Sequence, residues 1–153
     1  PARPHKEAAS AVVRRSDGRI LIAQRPERGM LAGLWEFPGA YRVRGESLPA
    51  CCARGVREEV GLTVKVGGKL AEVRHAYSHF SVTMHIFAAG RVTGKPRALG
   101  CVAWKWVRPG ELAEFPFPRV FGPMIFKLQE SRSKQTAKGK LQTASKRQTA
   151  NRT

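Results

Sequence analysis

No apolar run in the 153-residue chain reaches the roughly 20 residues that a helix needs to cross a bilayer, and its first residues lack the charged-then-apolar pattern of a secretory leader. Its three cysteines, Cys51, Cys52 and Cys101, are too few for the four ligands of an iron–sulfur cluster. They also lack zinc-ligand spacing, so they are expected to be reduced structural thiols in a cytoplasmic protein. Acid is the other scarcity. Eleven Asp and Glu stand against 28 Lys and Arg, a net charge of +17 that calls for an anionic partner, most simply nucleic acid.

Enough apolar material is present for one domain with a real core: 42% of residues are hydrophobic. The first seven residues, PARPHKE, form a Pro-rich, linker-like lead-in, and residues 8–130 carry the patterned body. Residues 131–153 form a tail with seven Lys or Arg, no acid and a single large apolar residue, Leu141. Such a segment buries too little to offset its ordering entropy and is expected to be disordered. Removing its seven charges leaves +10 on the first 130 residues, so the body is basic too.

Along that body, "ASAVVRR", the turn "SDG" and "ILIAQR" read as strand, turn and strand. A short strand is expected over 34–37 and a helix from Ser47, with the serine as cap, Pro49 in the first turn and Gly61 as terminator. "LTVKV", "KLAEVRHAY", "HFSVTMHIF" and "VAWKWV" read as strands, and Trp35, Trp104 and Trp106 as core. "RVFGPMIFKLQE" reads as a final helix interrupted near Pro123. Helices packed outside a mixed sheet give an α/β class.

The segment "ESLPACCARGVREEVGL" carries the chemistry. Glu58 and Glu59 share the helix face that begins at position 55, and Glu46 lies upstream. Together they form a candidate Mg²⁺ and diphosphate site, with Arg54 orienting one acid. An exposed Arg–Glu helix face laced with salt bridges reads equally from the same spacing.

In register, Glu46, Arg54, Val56, Glu58, Glu59, Gly61 and Leu62 resemble the Nudix box, and "LWEFPG" resembles its lead-in. The resemblance implies a Nudix-type α/β/α sandwich with a mixed β-sheet, over roughly residues 8 to 128. Two positions depart from the box. Ala40 replaces its opening glycine, and Gly55 replaces a glutamate that the resemblance implies to be metal ligand and general base. The Nudix helix is therefore degenerate, and no catalytic residue is expected at 55; loss of a general base costs about 10²–10⁴ in rate. Any retained Mg²⁺ would rest on Glu46, Glu58 and Glu59.

"LIAQRPERGMLAGLWEFPG", "HAYSHF" and "WKWVRPGELAEFPFPR" together resemble one branch, the C-terminal, MutT-like domain of MutY adenine DNA glycosylases. That resemblance implies recognition of 8-oxoguanine in double-stranded DNA opposite adenine, with the glycosylase chemistry and its iron–sulfur cluster in a separate domain. It implies lesion contact by Tyr77, Ser78 and His79. Phosphate contact is expected from Arg25, Arg28, Arg42, Arg44 and Arg74. In MutT-type enzymes the resemblance implies an Asn in the segment matching "FPFPRVFGPMI", where Arg119 and Val120 stand. Two alternatives stay open: a stand-alone Mg²⁺-dependent diphosphatase acting on 8-oxo-dGTP or another nucleoside triphosphate, and a non-enzymatic binder of nucleic acid or nucleotide. A monomer with no membrane attachment is expected, nucleoid-associated if bacterial.

Overall fold

The computed structural model describes residues 3–130; the basic tail predicted over 131–153 lies outside the described residues. Strand β1 (His5–Val13) turns through Asp17, which accepts from both Arg15 and Arg19, into β2 (Ile20–Gln24). Gly18 takes φ +89° in that turn, a conformation open to glycine at little cost. Because β1 begins at His5, part of the expected lead-in is strand. The Ser81 N–H donates to Pro4 O at 2.9 Å, and β1 then runs parallel to the later strand β6 (Ser81–Thr93).

Two short strands, β3 (Trp35–Glu36) and β4 (Gly39–Tyr41), precede helix α1 (Leu48–Val60). The helix starts and stops where its capping residues dictate. The Ser47 side chain accepts from Ala50 N, Pro49 sits in the first turn, and Gly61 closes the helix at φ +72°. "LTVKV" and "KLAEVRHAY" merge into one long strand, β5 (Thr63–Ala76), with register shifts between Val64 and Ala71. Gly67 and Gly68 lie within that shifted stretch, so the gap between the two expected strands is a bulge. Strand β7 (Ala103–Val107) and two 3-10 turns, Pro109–Glu114 and Arg119–Phe121, lead to helix α2 over 122–130. Pro123 falls in the first turn of α2, where its missing N–H costs nothing, so it opens that helix rather than interrupting it.

The strands make a mixed four-stranded sheet, β4-β1-β6-β5, and an antiparallel three-stranded sheet, β3-β2-β7. Alternation along β1 sorts the core into two halves. Ala9, Ala11 and Val13 pack with Cys51, Cys52, Val56 and Val60 of α1. Ala8 and Val12 pack with Ile22, Phe37, Ile86, Phe121 and Met124 on the α2 side. Helices therefore cover both sides of the strands, the expected α/β/α arrangement. Phe37 and Phe121 are fully buried with ring centroids 5.3 Å apart. Trp35, Trp104 and Trp106 are half-buried at the core margin rather than inside it. The three cysteines are buried and free, and burial pushes the Cys52 thiol up to about 12.

Candidate functional site

A cleft of about 340 Å³ opens beside α1, within the range of small-molecule sites. Its lining combines apolar and aromatic groups, Tyr41, Tyr77, Phe80, Met84, Val120 and Phe121, with polar ones, Arg25, Glu36, Glu58 and Glu59. Strand alternation places these groups. Ala8, Val82 and Met84 face the cleft from β1 and β6, while Glu7, Thr83 and His85 face the opposite side of the sheet.

Gly55 sits where α1 meets β4. A Cβ on it would lie 2.3 Å from the Gly39 carbonyl carbon and 2.5 Å from Ala40 N. Helix and strand backbones touch there, so this glycine is a packing residue as well as a missing acid. Further bonds fix the contact. Arg54 donates to Tyr41 O at 2.8 Å, and Gly39 N donates to Glu59 Oε2 at 3.0 Å.

The other box residues split into two groups. Arg54 grips Glu46 through Nε at 2.7 Å and Nη2 at 2.9 Å, and reaches Glu58 Oε2 at 3.0 Å. That guanidinium holds the Glu46 carboxyl down to about 2, with help from Val43 N. Glu58 is 61% exposed, so this part of the box behaves as the salt-bridged helix face. Glu59, by contrast, turns inward and is 7% exposed. Burial, and then the neighbouring Glu36, raise its carboxyl far above the ordinary range. Its Oε1 is buried without a donor, and Glu36, itself an acceptor, faces it.

The set expected to hold Mg²⁺ is reduced: Glu46 is saturated by Arg54 and position 55 has no carboxylate, so Glu58 and Glu59 are the box carboxylates that line the cleft. Among the described residues, no three His, Cys, Asp or Glu side chains are disposed to hold a metal.

Tyr77, Ser78 and His79 lie in the turn between β5 and β6. Only Tyr77 reaches the cleft: its ring stacks on Phe80 at 4.9 Å, and its hydroxyl accepts from Val120 N at 3.3 Å. Ser78 and His79 stand exposed beside it. The five arginines expected on one phosphate-binding face are dispersed. Arg25 lies in the cleft, paired with Glu36 at 3.1 Å. Arg42 bonds Glu7 and Arg74 bonds Thr83, on the far side of the sheet. Arg28 and Arg44 are exposed in loops.

Two residues went unnoticed in the sequence. Lys6 extends over the Tyr41 ring at 4.7 Å, inside the stretch taken for a lead-in. Glu36 was passed over as part of "LWEFPG", although a lone acid between Trp35 and Phe37 in a short strand has little solvent to face.

The layout is a sandwich with a cleft bounded by a glutamate-bearing helix and aromatic strand residues. The NUDIX domain profile matches residues 9–127, and the chain belongs to that family. It is 32% identical over 119 residues to a CTP pyrophosphohydrolase of Escherichia coli, covering 78% of this chain and 87% of that protein. It is 35% identical over 107 residues to a putative 8-oxo-dGTP diphosphatase 2 of Mycobacterium tuberculosis, covering 68% and 73%. The likeness to human adenine DNA glycosylase, 33% identical, covers 55% of this chain and 16% of that one. A MutT protein structure from Methanosarcina mazei shares the fold at TM-score 0.78 and 24% identity, covering 86% and 98%.

Proposed function

We propose that this NUDIX domain binds an oxidised guanine base in its cleft without hydrolysing a diphosphate, and that the ligand is 8-oxoguanine in double-stranded DNA. One observation carries the reading: at position 55 the helix backbone rests on β4, leaving no room for a side chain, let alone the metal-holding glutamate. Arg54, by saturating Glu46, takes up a second expected metal ligand. What remains is an aromatic-walled pocket with a few convergent polar groups, the build of a binding site. Tyr77, with Ser78 and His79 beside it, would meet the lesion at the cleft mouth, and the net charge of +17 suits a polyanion.

A stand-alone nucleoside triphosphate diphosphatase is the second reading. The relatives that this chain covers most fully favour it, since they are named as a CTP pyrophosphohydrolase and an 8-oxo-dGTP diphosphatase, whereas the glycosylase match is partial. The test is binding of the full chain to short duplexes with 8-oxoguanine or guanine opposite adenine, at one fixed salt concentration. At least tenfold preference for the lesion supports the first reading. Equal, salt-sensitive affinity for both duplexes leaves a non-specific nucleic-acid binder. Turnover of free triphosphate with Mg²⁺ establishes the second reading.

A further inference from the structure

With 28 Lys and Arg, positive charge is general on this chain, so a phosphate-binding cation has to be picked out by its setting. Two of the arginines expected to contact phosphate are already spent, Arg25 on Glu36 and Arg42 on Glu7. A cation paired with a carboxylate has less attraction left for a phosphate. Lys6 and Arg3 are placed differently. Among the described residues neither pairs with a carboxylate, and each is held against the cleft lining by a group that leaves its charge intact.

Lys6 shares a strand face with Ala8 and Ser10, both of which line the cleft. Its ammonium lies 4.7 Å from the centre of the Tyr41 ring and 5.6 Å from that of Phe80, two rings of the same lining. Ring faces attract a cation without neutralising it, and an ammonium has three N–H donors to offer. Arg3 donates from Nη1 to the Tyr77 carbonyl at 2.6 Å, at the turn between β5 and β6. A carbonyl takes one of the five guanidinium donors and none of the charge, so the fork stays open to an anion. The segment that carries both residues is fixed in turn. Ser81 N donates to Pro4 O at 2.9 Å, and His5 Nδ1 is hydrogen-bonded to Ser81 Oγ at 2.7 Å. Arg119, next to Val120 of the lining, adds positive charge within reach of the Tyr77 hydroxyl.

We infer that Lys6 and Arg3 form a phosphate site on the rim of the cleft, taking the phosphate joined to the nucleoside whose base enters; this rests on the nucleobase reading above. A base in the cleft leaves its sugar and phosphate outside the aromatic walls, and the two cations are held against Tyr41, Phe80 and Tyr77 of those walls. Both side chains are positioned before the ligand arrives, so binding orders little that was loose. The site adds affinity and sets how the nucleoside lies, and it carries no base preference. A DNA strand and a free nucleotide both supply such a phosphate.

8-Oxo-2′-deoxyguanosine, its 5′- and 3′-monophosphates and the lesion duplex are titrated into the full chain and into Lys6→Gln, Arg3→Gln and the double variant. Lys105→Gln is the control of equal charge: that lysine also lies over a ring, Phe115 at 5.3 Å, but outside the cleft lining. Melting temperatures check that each variant is folded. The wild type is expected to bind at least one monophosphate about fivefold or more tighter than the nucleoside at low salt, and the double variant to bring that ratio within about twofold. Each single variant is expected to lower the slope of log affinity against log salt for the duplex by about 1, with Lys105→Gln leaving it unchanged. A wild-type ratio near one, with the nucleoside bound, overturns the inference while the nucleobase reading stands. So does a ratio that survives in the double variant, or a Lys105→Gln effect as large as that of Lys6→Gln. A lost monophosphate ratio with an unchanged duplex slope keeps the phosphate site and assigns it to a free nucleotide. Binding of none of these ligands overturns the inference and the nucleobase reading together.

Discussion

Replacing Gly55 by alanine isolates the packing claim from the chemistry. The new Cβ would lie 2.3 Å from the Gly39 carbonyl carbon, 2.5 Å from Ala40 N and 2.7 Å from Gly39 Cα. Ordinary contact begins near 3.4 Å, so helix and strand must part by about 1 Å. Strand β4 has nowhere to go. It pairs with β1 through Ala9 and Ala40, it is tied to α1 by the Arg54–Tyr41 and Gly39–Glu59 bonds, and Gly39 itself lies close under Ala9 O. Overpacking against side chains costs about 1–3 kcal/mol, and backbone yields less readily. Alanine recovers roughly 1 kcal/mol of helix propensity. The expected net effect is a loss of about 1–2 kcal/mol, read as a lower urea midpoint at unchanged slope. A Gly55→Ala protein as stable as the wild type, or more stable, would refute the reasoning, because propensity alone would then have won. Gly55→Glu should be destabilised at least as much and should gain no Mg²⁺-dependent diphosphatase activity.

Other consequences can be checked alongside. Glu59 has a raised carboxyl in the fold, so its stabilising contribution is complete below the ordinary carboxylate range and is lost as pH rises towards its folded value. Between pH 5 and 8, stability should therefore fall with pH by up to about 1.4 kcal/mol per unit from this group, and Glu59→Gln should flatten that slope. An unchanged slope in the variant would show Glu59 ionised in the fold. Phe37→Ala should lose about 3–5 kcal/mol, since the ring is fully buried against Phe117 and Phe121. Tyr77→Phe should cost about 0.5–1.5 kcal/mol through its bond to Val120 N, with stacking on Phe80 kept; circular-dichroism melts would register both losses.

Much of the fold was legible because local chemistry agreed with it. Ser47, Pro49 and Gly61 marked the ends of α1, and alternation along 81–87 marked β6. Illegible parts were those decided by distant partners. The lead-in became strand because β6 offered His5–Glu7 a parallel neighbour. Two strands became one because a bulge, which needs only glycine, looks like a turn in sequence. Pro123 read as a break because its place in a first turn depends on where the preceding 3-10 turn stops.

The site divides in the same way. Helical spacing put Arg54 and Glu58 on one face, and Arg54 also pairs with Glu46 upstream of the helix, yet spacing could not say that Glu59 turns inward, since that depends on Gly39 and Glu36. The arginines do not share one face: Arg42 and Arg74 bond Glu7 and Thr83, whereas Arg25 pairs with Glu36 in the cleft. Most consequential is Gly55. From the sequence it is a deletion of chemistry; in the fold it is the contact that seats the helix.

The central claim is that the cleft binds a base but cannot hydrolyse a nucleotide. Its most direct test is pyrophosphate release from 8-oxo-dGTP and CTP by the full chain, with Mg²⁺ present and with it chelated. The account predicts no metal-dependent release above the uncatalysed background from either substrate, in a preparation that binds the lesion duplex. Metal-dependent turnover at the rate of a competent diphosphatase would contradict it and establish the hydrolase reading.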